Sequence, residues 1–314
     1  GQPAGRADEF TSAARESERL WGLPFVEHRT AHLKGSYAVD PVVTSEGDLE
    51  RLHHPPYEVD EAATRALRER ATELVDGRVD VKLATDEVAF SPSEVMISLV
   101  GMEAVLYGVI DRPGFIHRIM GFVTEGLIAY HRSREAAGAV DPEQTWNYRI
   151  PYEVLRPEDD PRRLTGSWMF IAAQSMCGIS PAMYEEFVQP YHERLARLAG
   201  DHRVYYHGCE DLTAKIPIIR RLPNLRRFHV SPWTDLESAA EQLGSDFVLE
   251  VVPHPETLYA QTPAQMRAAL ERMVRVADGC VFDICLGEIE TVYGNPAVLT
   301  TWAQIAQEVA ARHA

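Results

Sequence analysis

The chain is short of positive charge. Its 314 residues carry 31 Lys and Arg against 47 Asp and Glu, a formal net charge of −16. That deficit argues against a surface for nucleic acid or for an anionic membrane. Cysteine is scarce as well: 4 residues are no disulfide scaffold and fit reduced thiols in a cytoplasmic protein. No run approaches the roughly 18 apolar residues that cross a bilayer. Residues 1–21 are polar and amphipathic and lack the apolar core of a signal peptide. There is no Gly-x-Gly-x-x-Gly turn and no Walker loop, which weakens nucleotide binding. Internal repeats and low-complexity tracts are missing too.

What is present is enough apolar material for a large core, 45% of residues, laid out as alternating strand-like and helix-like segments. Strands are expected at 168–173, 204–207, 227–231, 247–252 and 280–286, with weaker candidates at 81–84 and 146–150 and room for another at 25–33. Helices fall between them. Ser180-Pro181 opens one that runs to about Leu198 with a kink at Pro190. Another covers about 212–221, and Asp235 caps the next. Thr262-Pro263-Ala264-Gln265 has the form of a capping box with proline at the first helical position. The last helix follows Asn295-Pro296, with Leu299, Trp302, Ile305 and Val309 at helical spacing. Strands separated by helices imply βα units and a parallel sheet. At this length the expectation is an α/β chain with a (β/α)8 TIM barrel over residues 76–314, preceded by a helical or irregular extension over 1–75. The charged, proline-rich stretch 151–163 reads as a solvated loop, with a lid as the alternative.

The run Val204-Tyr205-Tyr206-His207-Gly208-Cys209-Glu210 carries the chemistry. Residues two apart on a strand share a face, so His207 and Cys209 project together. An imidazole beside a thiolate suits zinc. The alternative is a core histidine satisfied by a carbonyl and a cysteine acting as a small hydrophobe. Barrel sites lie at the C-terminal ends of the strands, where this pair falls. Two cysteines compete for a third ligand on the strand at 280–286. Strand phase favours Cys285, near the functional end with Asp283, over Cys280 at the start. Glu210 and Glu288 are candidates for a fourth. Other strand ends offer Gln174 and Ser231 for substrate binding, and Asp235 and His254 for orienting substrate or moving protons. Asp235 is as readily a helix cap, and Ser231 a turn residue before Pro232.

The runs AAQSMCGISPAMYEEFVQPYHERL, YYHGCEDL, RRFHVSPWTDLESAAEQLG and ETVYGNPAVLTTW resemble the uroporphyrinogen decarboxylase superfamily over roughly residues 100–314. The resemblance is closest to its zinc-dependent methyltransferases of the methylcobamide:coenzyme M type and to the cobalamin-independent methionine synthases. It implies a barrel whose zinc is held by a His-x-Cys pair and a later cysteine, matching His207, Cys209 and Cys285. The glutamate ligand of the methionine synthases would fall near Ser231 and is absent or replaced. The Arg-rich segment with which the decarboxylases grip porphyrinogen carboxylates is missing, and so is an Asp-x-His-x-x-Gly corrinoid motif. A corrinoid, if one takes part, rides on a separate protein.

The function expected is therefore alkyl, and specifically methyl, transfer to a small-molecule thiol activated by Zn2+. The alternatives are a metal-free decarboxylase or lyase, with Asp235 stabilising a cationic intermediate, and a barrel that binds a ligand or corrinoid protein without turnover.

Overall fold

The computed structural model describes residues 21–24, 27–29, 37–81, 85, 88–140, 156–287, 289 and 291–313. The chain divides into two compact units, residues 1–150 with 155–168, and residues 151–154 with 169–314.

In the first unit the strand expected at 25–33 needs correction. β1 (Glu27–Arg29) is there, but it pairs antiparallel with β2 (Tyr37–Val39), with Glu27 opposite Val39. A parallel partner would need a long crossover, and the seven residues at 30–36 are too few for one. Of the weaker strand candidates, 146–150 and 82–84 lie outside the described residues, and Val81 is in no strand. A short strand that was not expected, β3, covers Val88–Phe90. Among the described residues this unit has four α-helices: α1 (Glu61–Val75), α2 (Pro92–Val100), α3 (Met102–Asp111) and α4 (Pro113–Ala136). Asp60 caps α1 by accepting from the Ala63 amide at 2.8 Å. α4 buries Phe115, Ile116, Ile119, Met120 and Val123, one apolar stripe at helical spacing. It also buries His131, whose Nε2 bonds the Ala89 carbonyl at 3.1 Å. Among the described residues no single helix is long and apolar enough to cross a membrane, though α2 and α3, bent by 101°, pass such a test as a pair.

The second unit has the parallel α/β order expected from the alternation of segments. β4 (Met169–Ala172), β5 (Val204–His207), β6 (Leu225–Val230), β7 (Val248–Val251) and β8 (Val281–Ile284) lie side by side in chain order, each pair parallel. The helices between them are α5 (Pro181–Phe187), α6 (Gln189–Ala196), α7 (Ile216–Ile219), α8 (Leu236–Leu243), α9 (Thr257–Ala260) and α10 (Pro263–Val276); α11 (Ala297–His313) follows β8. The kink at Pro190 is a break one step earlier. Val188 leaves the helical region (φ −120°), and Pro190 sits in the first turn of α6, where it needs no N–H partner. The capping box at Thr262 and Gln265 forms as expected. In α11, Trp302, Ile305 and Val309 are buried against Leu258, Met266 and Leu270, but Leu299 is 39% exposed and lies off that stripe.

Register sets the two sides of the sheet. Ala172 pairs with His207, Tyr206 with Phe228, His229 with Glu250, and Glu250 with Asp283. Continuing the β5–β6 register by one step puts His207 beside His229. One face of the sheet therefore carries a lateral row of His207, His229, Glu250 and Asp283 near the strands' C-terminal ends. The opposite face shows Tyr206 stacked on Phe228 at 6.0 Å between ring centroids.

Candidate metal centre

β5 ends at His207, so Cys209 is not on the strand but in the turn after it. The pair still meets, with His207 Nε2 at 3.1 Å from Cys209 Sγ. The turn is stitched to the one after β6. The Ser231 and Thr234 hydroxyls both donate to the Glu210 carbonyl, at 2.6 and 3.1 Å. The Leu212 amide donates to Thr234 Oγ1 at 3.0 Å. Gly208 leaves room for the Glu210 side chain, whose Oε2 lies 2.7 Å from where a Cβ would stand.

A third donor arrives from β6. Ligand atoms of His207, Cys209 and His229 all lie within 4.8 Å of one another. The two imidazole rings stand 4.2 Å apart. His229 is 4% exposed, and its Nε2 is buried with no hydrogen-bond partner among the described residues. A buried nitrogen without a partner costs free energy unless something meets it. A cation shared with His207 and Cys209 would do so, and two imidazoles with one thiolate suit zinc. The donor set therefore fits the metal that the superfamily resemblance implies.

Behind these groups lies a buried charged network. His229 Nδ1 donates to Glu250 Oε2 at 2.8 Å. The Tyr205 hydroxyl donates to the same Glu250 oxygen, and it contacts His207 Nδ1 at 2.8 Å and His229 Nδ1 at 3.3 Å. Arg227 bridges Glu250 Oε1 at 2.9 Å and both Asp283 oxygens at 2.9 and 3.1 Å. Burial acts to push the Glu250 carboxyl up. The hydrogen bond from His229, the positive charge of Arg227 and the Tyr205 hydroxyl outweigh it and hold the group at about 2.

Cys285 stands just past β8 and is not part of the three-donor group. Its thiol donates to Glu250 Oε1 at 3.7 Å. Burial and the carboxylates of Glu250 and Asp283 push it up to about 12. Cys280 lies at the other end of the strand, its Sγ 3.7 Å from the Ala240 carbonyl. Gln174 opens a short turn after β4 and is half-buried. Ser231 is buried in the turn contacts above. Asp235 is exposed and caps α8 by accepting from the Ser238 amide at 2.7 Å. His254 is exposed beyond β7, with its ring edge-on to Trp233. Glu210 folds back against Gly208, and Glu288 lies outside the described residues. His229 was missed in the sequence because no motif marks it. The signal was its position two residues before Ser231, in phase with Arg227 on a strand next to His207.

Residues 167–285 match the family model described as uroporphyrinogen decarboxylase (URO-D). The superfamily resemblance holds over this stretch. It contains every residue of the three-donor group and of the network behind it. A methyltransferase from Methanosarcina mazei of solved structure is similar to the chain, with 13% identity over 86% of this chain and 72% of that one and a TM-score of 0.47. No curated protein matches the chain in sequence.

Proposed function

We propose that this chain is a zinc-dependent alkyltransferase, most specifically a methyltransferase, that activates a small thiol on a (β/α)8 barrel. The supporting observation is that His207, Cys209 and buried His229, whose Nε2 has no partner among the described residues, bring ligand atoms within 4.8 Å of one another at the C-terminal ends of adjacent parallel strands. His207 Nε2, Cys209 Sγ and His229 Nε2 would hold the metal, and three protein donors leave one position for substrate. Zinc there would strip the proton from a thiol and leave a nucleophilic sulfur. The protein's own part is to hold the two imidazoles in one orientation, to keep Cys209 beside them through the stitched turn, and to surround the centre with apolar rings. Phe170, with its centroid 5.2 Å from that of His207, is one of these. Gln174 and His254 keep accessible surface at strand ends and are the polar groups we assign to substrate. Ser231 and Asp235, assigned to substrate and to proton transfer from the sequence, would act through the turn and the cap that they build. The alkyl donor is a small molecule or a corrinoid on a separate protein.

The test is metal content and turnover together. Purified chain is expected to hold about one Zn2+ and to demethylate methylcobalamin in the presence of a thiol. Thiol binding should release a proton, read as a buffer-dependent heat in calorimetry. Metal-free chain that decarboxylates uroporphyrinogen would replace this reading with the lyase one. Zinc-loaded chain that transfers no alkyl group would leave a binding barrel.

A further inference from the structure

The proton count around Tyr205 fixes more than one bond. A phenol has a single proton, and Tyr205 gives it to Glu250 Oε2. Its oxygen can then only accept, so the 2.8 Å contact with His207 Nδ1 requires the proton on that nitrogen. His229 Nδ1, 2.8 Å from the same carboxylate oxygen, must carry a proton as well. Both rings therefore leave Nε2 without a proton; that of His207 stands 3.1 Å from Cys209 Sγ, and that of His229 is buried with no partner among the described residues. We propose that Glu250 is the positioning residue for both imidazoles, acting directly on His229 and through the Tyr205 hydroxyl on His207. A single carboxylate oxygen thus sets two tautomers on two strands.

Arg227 completes the arrangement. It holds the other Glu250 oxygen and is itself pinned by both oxygens of Asp283, so the carboxylate cannot swing away from its two donors. Outer-shell carboxylates on ligating histidines act in this way elsewhere, and removing them costs about 10–100-fold in metal affinity. Here the relay through a tyrosine extends that control to a second ring.

The inference rests on the metal-centre reading, but its test has an arm that needs no metal. In the chain freed of metal by chelation, 15N chemical shifts of the imidazoles report the tautomer. Wild type is expected to show both His207 and His229 with the proton on Nδ1. Tyr205→Phe keeps the ring and removes the relay; His207 is then expected to become a mixture of tautomers while His229 stays fixed. In the second arm Zn2+ is titrated against a chromophoric chelator, and Co2+ is followed by its thiolate charge-transfer band. Tyr205→Phe should weaken Zn2+ by about 10-fold or more and keep the band, because Cys209 remains a donor. Glu250→Gln should weaken it further and release both rings; should that variant fail to fold, Tyr205→Phe decides alone. A His207 that carries its proton on Nε2 in wild type, or a Tyr205→Phe chain with an unchanged His207 tautomer, would overturn the relay. Wild type that shows the expected tautomers but binds no Zn2+ would keep the relay and remove the metal centre.

Discussion

Tyr205 and Tyr206 are consecutive on β5, and each leads to a histidine on its own face of the sheet. Tyr206 accepts from the Tyr184 hydroxyl at 2.9 Å, and Tyr184 in turn contacts His192 Nδ1 at 3.3 Å. All three are fully buried, and burial alone pushes His192 down to about 3. It is a neutral ring in a packed wall between strand and helix. Tyr205 reaches two histidines as well, but there the neighbouring strands supply Glu250, Asp283 and Arg227. The same residue types one position apart thus build packing on one face and a candidate centre on the other. Charged neighbours in register, rather than the histidine itself, make the difference.

The comparison breaks most visibly at the donors. His229→Ala should lower Zn2+ affinity by more than the roughly 10–100-fold of an outer-shell change, so that purified chain carries little metal. His192→Gln should leave zinc content unchanged. Metal analysis after gel filtration reads both, and loss of zinc from His192→Gln would mean that the two faces are not independent.

Stability separates the faces next. Arg227→Met strands two carboxylates, of which Glu250 is almost wholly buried, and should cost about 3–5 kcal/mol. Tyr206→Phe removes the neutral hydrogen bond from Tyr184 and should cost about 1 kcal/mol. Denaturant unfolding of the two variants checks the order, and equal losses would show the charged network to be no more demanding than the phenol pair.

The pH dependence of the packed face has a definite sign. His192 is held at about 3 when folded, against roughly 6.5 in the unfolded chain. Below 6.5 the unfolded state takes up a proton that the folded ring refuses. The contribution is therefore complete above about 6.5 and is lost as pH falls towards 3. His131, also pushed down to about 3, by burial and then by Arg134, adds to the same slope in the other unit. Between pH 8 and 4.5 wild type should lose more unfolding free energy than His192→Gln does, because His131 cancels in the difference. A parallel decline in the two chains would contradict a neutral His192.

These particulars show what was legible in the sequence. The parallel strands, the Thr262 capping box and the break near Pro190 follow from local patterns, and the structure places them within a few residues. The His207–Cys209 pair was legible because both partners sit within one short run. His229 and Glu250 were not: Glu250 is one polar residue inside an apolar strand, and His229 shares its strand with Arg226 and Arg227 in no recognisable motif. Only the lateral register, which joins residues 21 to 45 positions apart, brings them to the pair. The pairing of β1 was misjudged for a related reason: a short stretch that can extend shows that a strand can form, not which strand it will pair with.

The smallest expected effect concerns the cysteine that the sequence favoured as third ligand. Cys285 donates a hydrogen bond to Glu250 and, with its pKa pushed up to about 12 by burial and by the Glu250 and Asp283 carboxylates, keeps its proton in the neutral range. A thiol in that state is a hydrogen-bond donor to the carboxylate that positions His229. Serine offers a donor of similar size, so Cys285→Ser should change Zn2+ affinity by no more than about 3-fold, well short of the 10–100-fold expected when the outer shell is broken. Chelator competition on the full chain measures it beside His229→Ala. If Cys285→Ser releases the metal and His229→Ala retains it, the third ligand comes from β8, as the superfamily resemblance implied. His229 would then belong with His192, a ring that the fold buries for packing, and the contrast between the two faces of β5 would disappear.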